Sequence, residues 1–287
     1  MPSTTQKLRN LINSKKHTIA PGVYDGMSAL LAKRAGFQLL YASGGAIARS
    51  MGYPDIGLLS LTEVCAAVAR IVDSAGELPV IADADTGFGN ALNTRRAIRE
   101  FERAGAAGVH IEDQTFPKRC GHLNDKSVIA ADEMCHKLRV AKESRQDSDF
   151  VIIARTDAIA VEGFDKAIER AQAYLAAGAD MIFVEAPETV EQIEEIARRI
   201  PQPKLINMFF GGKTPLVPNS RLEELGYSIT IIPSDLQRAA IKSMENTLST
   251  IARFGDSEKI AEQMTSFQER ELIVETDKYL KIDQVKT

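Results

Sequence analysis

The chain reads as an α/β protein of the (β/α)8 TIM-barrel type, and three observations lead there. The first is a phrase that recurs: an amphipathic stretch, a small residue, a glycine, then a short apolar run ending in polar residues. It appears as LAKRAGFQLLYASGG, REFERAGAAGVHIEDQ, AYLAAGADMIFVEAP and RLEELGYSITIIPSD. The second is the tally of apolar runs, because TIAPGVYD, LPVIADAD, DFVIIARTD and PKLINMFF bring the strand candidates to eight. The third is size. A chain of 287 residues is close to the roughly 250 usual for such a barrel and needs no disulfide or structural metal to hold one large core.

Taken in order, each phrase is a helix passing into a strand. Gly36, Gly105, Gly178 and Gly226 suit the left-handed residue that ends a helix, and the run after each is a fully buried strand. Apolar residues at three and four spacing predict helices at about 26–36, 62–75, 92–105, 131–145, 163–178, 188–200, 219–226 and 234–253. An open doubly wound sheet is the competitor, since GFGNAL after LPVIADAD imitates a nucleotide-binding glycine loop. It is set aside because Leu92 replaces the third glycine and two aspartates at the strand end would repel a pyrophosphate. The expected organisation is a catalytic barrel over 1–255. A charged helical extension over 256–287 is too long for a ninth barrel element and is expected to pack on a neighbouring subunit.

Composition removes several functions. Of the residues 44% are apolar and 26% charged, with a net charge of −4, as in an ordinary globular protein. The acidity is spread out and no basic stripe stands ready to release counterions, so nucleic acid is not an expected partner. No apolar run approaches the roughly 20 residues of a membrane span, and MPSTTQKLRN lacks a secretory apolar segment. A cytoplasmic protein is expected. Cys65, Cys120 and Cys135 are odd in number and show no C-x-x-C spacing, so neither a disulfide framework nor a zinc site is readable.

In a barrel the chemistry stands at the carboxyl ends of the strands. Strand two ends in Tyr41, Ser43, Gly44 and Gly45, strand three in Asp83 and Asp85, strand four in Glu112 and Asp113. Strand five ends in Arg155, Thr156 and Asp157, strand six in Glu185, strand seven in Asn207. Any one of these could cap the next helix, but capping does not explain six strands ending this way. Carboxylates gathered in one cavity repel unless a cation sits among them. Asp83 and Asp85, two apart on a strand, are expected on one side with Glu112. That hard oxygen set suits Mg2+ or Mn2+, and no histidine is expected beside it, which argues against zinc. Arg155 is the candidate fork for a substrate carboxylate, with a buried ion pair to Glu112 or Asp157 as its alternative. In PKRCGH the thiol of Cys120 is flanked by Lys118, Arg119 and His122, whose charge would make it a competent proton donor near neutral pH. Cys65 and Cys135 lie on expected helices as small hydrophobes.

Together SGG (Ser43 to Gly45), GYPDIG with Asp55, DADTGFGN, GVHIEDQ, PKRCGH, ARTDA and EAPE resemble the isocitrate lyase and phosphoenolpyruvate mutase superfamily, in order and over roughly residues 5–235. The K-R-C-G-H form resembles its carbon–carbon lyases, and among them the short lyases acting on 2-methylisocitrate, 2,3-dimethylmalate and other 2-alkylmalates. The resemblance implies that Ser43, Gly44, Gly45 and Arg155 hold the 2-oxo-acid portion. It implies direct contact of Asp85 with Mg2+, while Asp55, Asp83 and Glu112 act through its waters. Cys120 would protonate the departing carbanion, and Tyr41, Asp83, Glu112, Lys118, Gly121, His122, Glu185 and Asn207 would line the site. It further implies an eighth helix exchanged between subunits and a homotetramer.

One segment departs from the family. Where the tricarboxylate lyases carry polar side chains after strand seven, this chain has Phe209 and Phe210 in Asn207-Met208-Phe209-Phe210-Gly211-Gly212-Lys213. A carboxylate there would lack donors, whereas a methyl group would gain contact. The expected substrate is therefore a dicarboxylic 2-alkylmalate such as 2,3-dimethylmalate, yielding pyruvate and propionate. 2-Methylisocitrate is the second reading, and oxaloacetate hydrolysis or decarboxylation and a silent metabolite-binding barrel are the others.

Overall fold

In the computed structural model, which describes residues 2–121 and 125–283, eight parallel strands close into a barrel in sequence order. They are β1 (Thr18–Val23), β2 (Leu40–Ala42), β3 (Val80–Asp83), β4 (Gly108–Glu112), β5 (Val151–Thr156), β6 (Met181–Val184), β7 (Lys204–Asn207) and β8 (Tyr227–Ile232). The seam is β1 against β8, with Thr18 opposite Ile229 and Pro21 opposite Ile232. His122 lies outside the described residues.

The helices are α1 (Thr4–Asn13), α2 (Gly26–Arg34), α3 (Gly44–Ser50), α4 (Leu61–Ala75), α5 (Ala91–Arg103), α6 (Ala131–Ser144), α7 (Ile159–Glu162), α8 (Phe164–Ala176), α9 (Val190–Arg199), α10 (Asn219–Glu224), α11 (Asp235–Phe254), α12 (Phe267–Ile273) and α13 (Thr276–Asp283). Start signals are explicit. Asp25, Ser60 and Asn90 cap α2, α4 and α5 with side-chain oxygens, each contributing about 1 kcal/mol. The stop glycines behave as the phrase requires, with φ of 86° at Gly36, 84° at Gly105, 113° at Gly178 and 73° at Gly226. α1, α3 and α7 are additional to the expected helices. α3 opens on two glycines, which disfavour a helix on intrinsic propensity, and α7 is a single turn.

Alternation along the strands sorts their side chains into two cores. Val80, Ala82, Val109, Ile111, Ile152, Ala154, Ile182, Val184 and Ile206 face the helices. Ile81, Val151, Ile153, Met181, Phe183, Leu205, Ile229 and Ile231 fill the barrel interior, joined from below by Leu8 and Ile12 of α1. Arg9 fastens α1 there, donating to the carbonyls of Asp149 (3.0 Å) and Phe150 (3.2 Å) and to Asp180 (3.0 Å).

The chain divides into two compact units, with the break between Asp235 and Leu236. In the second unit, Ile241, Met244, Leu248 and Ile251 recur at helical spacing along α11, and all four are exposed. No helix among the described residues is long and apolar enough to cross a membrane.

Candidate active site

The inward row of each strand changes character near its carboxyl end. Ile81 is followed two residues on by Asp83, His110 by Glu112, Ile153 by Arg155, Phe183 by Glu185 and Leu205 by Asn207. Period-two geometry thus places these polar groups on top of an apolar plug. All five are buried.

The floor is aromatic. The His110 ring stacks with Tyr41 at 5.7 Å between centroids and meets the edge of Phe183 at 5.7 Å. Arg155 lies over the Phe183 ring at 5.2 Å. The Tyr41 hydroxyl is hydrogen-bonded to His110 Nε2 at 2.8 Å and donates more weakly to Asp83 at 3.4 Å. Burial pushes the Tyr41 pKa up, reinforced by Asp83, and pushes that of His110 down against the pull of Asp83. Both are therefore neutral at pH 7, a protonated phenol on an uncharged imidazole. The expectation that no histidine accompanies the acids is corrected here: His110 Nε2 stands 3.5 Å from Asp83 Oδ1. It lies two residues before Glu112, so strand alternation carries both inward.

The pairing of Asp83 and Asp85 has a different cause from the one expected. β3 ends at Asp83, and Asp85 lies beyond it at φ 46°, a left-handed backbone that a non-glycine residue rarely adopts. The turn is held by Asp83 Oδ1, which accepts from the Asp85 N–H at 2.9 Å. Gly44 and Gly45 belong to the same corner, because a Cβ at Gly44 would lie 2.7 Å from Asp83 Oδ2 and one at Gly45 2.6 Å from Asp55 Oδ2. Ser43 caps α3 beside them, accepting from the Ala46 N–H at 3.3 Å.

The cation within the cluster is Lys118. Its ammonium lies 2.6 Å from Asp55 Oδ1 and 2.7 Å from Asp85 Oδ1, and its side chain is 4% exposed. Burial works against its charge, but Asp85, Asp83 and Asp55 more than offset this and hold it well above the ordinary lysine range. Burial likewise opposes the Asp83 charge, yet His110, Lys118 and Arg155 hold that carboxyl down at about 2. Asp85 is pushed up to about 6 by burial, against Lys118. Glu112 is pushed well above the usual carboxylate range by burial, against Arg155.

Both oxygens of Glu112 are buried without a hydrogen-bond donor. Lone pairs left this way in an all-oxygen, acidic corner fit a hard divalent cation. Among the described residues, no three acid, histidine or cysteine side chains form a ready ligand set. Lys118 stands on the Asp85 oxygen instead.

Arg155 is held from the side. Asp157 accepts from its Nε at 2.9 Å and its Nη2 at 3.1 Å, while Glu112 and Glu185 lie 3.4 and 3.5 Å away. The buried ion pair weighed as the alternative for Arg155 is present, and Asp157 orients the guanidinium. Asn207 donates to Glu185 at 3.3 Å. Cys120 lines a cleft with Arg49, Tyr53, Pro54, Asp55 and Ile56. Gly121 rests directly on the site, and a Cβ there would lie 2.5 Å from Arg155 Nη2 and 2.7 Å from Glu185 Cδ. Cys65 is half-buried, its thiol pushed up to about 12 by burial, and Cys135 is buried with its thiol also raised. After β7, Phe209 is half-buried and Phe210 is 71% exposed.

A guanidinium oriented by an acid, at the strand ends and beneath a thiol-bearing loop, defines a barrel enzyme that handles a small carboxylate. The chain belongs to the phosphoenolpyruvate mutase and isocitrate lyase superfamily: the phosphoenolpyruvate phosphomutase family model matches residues 8–252, and the protein is a carbon–carbon lyase of the isocitrate lyase type. It is 44% identical to 2,3-dimethylmalate lyase of Eubacterium barkeri over 268 residues, covering 93% of this chain and 92% of that one. It is 47% identical to 2-methylisocitrate lyase of Aeropyrum pernix over 257 residues, 90% of this chain and 82% of that one. A solved oxaloacetate acetylhydrolase bound to 3,3-difluorooxalacetate superposes with a TM-score of 0.92 at 33% identity, covering 98% of this chain and 96% of that one.

Proposed function

We propose that the protein cleaves the C2–C3 bond of a dicarboxylic 2-alkylmalate, with 2,3-dimethylmalate as the representative substrate, giving pyruvate and propionate. The observation that carries this reading is the apolar Phe209–Phe210 pair, which begins two residues after Asn207 at the end of β7. A carboxylate packed against it would lose its water without gaining a donor, which costs several kcal/mol, roughly, whereas a methyl group gains by contact. Phe209 carries the larger share, because Phe210 is mostly exposed. The similarity to 2,3-dimethylmalate lyase supports this reading, and the similarity to 2-methylisocitrate lyase supports the second one, cleavage of 2-methylisocitrate to pyruvate and succinate.

The chain's own residues supply the steps. Arg155, oriented by Asp157, grips the carboxylate of the part that becomes the 2-oxo acid. A carboxylate of the cluster takes the proton of the 2-hydroxyl, whose oxygen pair closes the C2 carbonyl as the C2–C3 pair moves to C3 and its neighbouring carboxylate. The Cys120 thiol gives its proton to C3, so one proton is taken and one returned. Tyr41 and neutral His110 form the dry floor. Asp85 with Asp55, Asp83 and Glu112 would hold a Mg2+ or Mn2+ ion, which would supply fixed positive charge for the developing oxo group. The assembly in this reading is a cytoplasmic homotetramer in which the eighth helix, α11, is exchanged between subunits and the extension over 256–287 packs on a neighbouring subunit. The exposed apolar stripe of α11 supports the exchange of that helix.

The test is a panel of 2,3-dimethylmalate, 2-methylisocitrate and oxaloacetate with Mg2+, following pyruvate and oxalate. The expected result is the highest kcat/KM on 2,3-dimethylmalate, with Phe209→Thr plus Phe210→Glu moving the ratio toward 2-methylisocitrate by about 10²-fold. A preference of the unaltered protein for 2-methylisocitrate establishes the second reading, and oxalate release establishes the hydrolase.

A further inference from the structure

Lys126 is used by none of these steps, yet its side chain is only 2% exposed. Its ammonium donates to the carbonyl of Gly121 at 2.5 Å and to Asp157 Oδ1 at 2.8 Å. Both acceptors belong to the site. Asp157 orients the Arg155 guanidinium through two hydrogen bonds. Gly121 follows Cys120 and lies so close to Arg155 and Glu185 that no side chain fits between them.

The backbone carrying Lys126 is itself anchored. Next to it, the Ser127 carbonyl accepts from the Thr115 N–H at 2.9 Å, the Thr115 and Ser127 hydroxyls lie 2.5 Å apart, and the Ile129 N–H donates to Asp113 at 2.8 Å. A buried ammonium with two acceptors costs side-chain freedom and desolvation, and here those acceptors are the Cys120 segment and the arginine's counter-ion.

We propose that Lys126 is a positioning residue that clamps the Gly121 peptide, and with it the Cys120 thiol, at a fixed distance from Arg155. The proposal rests on the reading that Cys120 and Arg155 act on one substrate. Lys126 acts through its acceptors, the Gly121 carbonyl and Asp157. Its loss leaves the bidentate Asp157–Arg155 pair in place, so the grip on the oxo acid survives while the proton donor is displaced.

The experiment compares wild type, Lys126→Met and Lys126→Arg by three readouts: kcat and KM on the best substrate of the panel, pyruvate affinity by calorimetry, and the rate of iodoacetamide labelling at Cys120 by mass spectrometry. For Lys126→Met the expected result is a kcat at least tenfold lower, a pyruvate affinity within about threefold, and Cys120 labelling at least fivefold faster. Lys126→Arg should recover part of the lost kcat. Lys126→Gln, which removes the charge but keeps a shorter polar side chain, should give the same pattern, which keeps the question decidable if Lys126→Met does not fold. A Lys126→Met enzyme with kcat and labelling unchanged overturns the proposal, as does one that loses pyruvate binding along with kcat. The labelling and pyruvate readouts need no turnover, so a wild type inactive on the whole panel counts against the reading of the reaction and leaves the clamp testable.

Discussion

Glu112 and Asp113 are neighbours in the chain, both fully buried, and both pushed up in pKa first of all by burial. They differ in what they meet. Glu112 points into the barrel, and neither of its oxygens accepts a hydrogen bond. Asp113 points outward, where Oδ2 accepts from Thr156 and Tyr174 at 2.7 Å each, and Oδ1 from the Asp157 N–H at 2.9 Å. Arg170 stands 3.5 Å away and is tied in turn to Glu162. A buried acid whose oxygens all accept hydrogen bonds serves the fold, and one whose oxygens accept none is a candidate for binding. Burial and the direction of the pKa shift do not separate the two, whereas hydrogen-bond satisfaction does.

Three measurements sharpen or break that contrast. The largest effect is expected from chelation, which should abolish turnover, with Mg2+ or Mn2+ restoring it. Added Mg2+ should also raise the melting temperature in a concentration-dependent way, since it binds only the folded protein. Full activity in excess chelator would mean that the empty oxygens of Glu112 serve something other than a cation. Next, Cys120→Ser should lower kcat by about 10²-fold or more with the melting temperature unchanged, because a serine hydroxyl is too weak an acid to replace the thiol. The smallest effect on turnover but the clearest separation comes from the neighbours themselves. Glu112→Gln should cost about 10²-fold in activity while urea unfolding moves little. Asp113→Ala should leave buried donors unpaired and cost about 3 kcal/mol of stability or more. If Glu112→Gln unfolds the protein and Asp113→Ala does not, the contrast is wrong.

The barrel was legible because its punctuation is local: Gly36, Gly105, Gly178 and Gly226 each end a helix and each lies just before a strand. The strand-end list was legible for the same reason, since position on a strand fixes which end a residue occupies. What was not legible depends on distance. The sequence places Lys118 beside Cys120 and the resemblance puts it in the site, but its ammonium reaches Asp55 and Asp85 only through the closed barrel. Strand alternation does not reach Asp85, because the strand stops at Asp83 and an aspartate turn brings the second acid round. The same alternation, applied backward from Glu112, would have found His110. α3 was hidden because its two glycines serve the close approach of Asp83 and Asp55 rather than helix propensity.

The helix α1 closes the bottom of the barrel with Leu8 and Ile12, beneath an interior already filled by Ile81, Ile153, Phe183 and Leu205. The two ends of the barrel therefore answer to different demands, and substitutions in α1 should register in folding stability while the polar strand ends keep their arrangement.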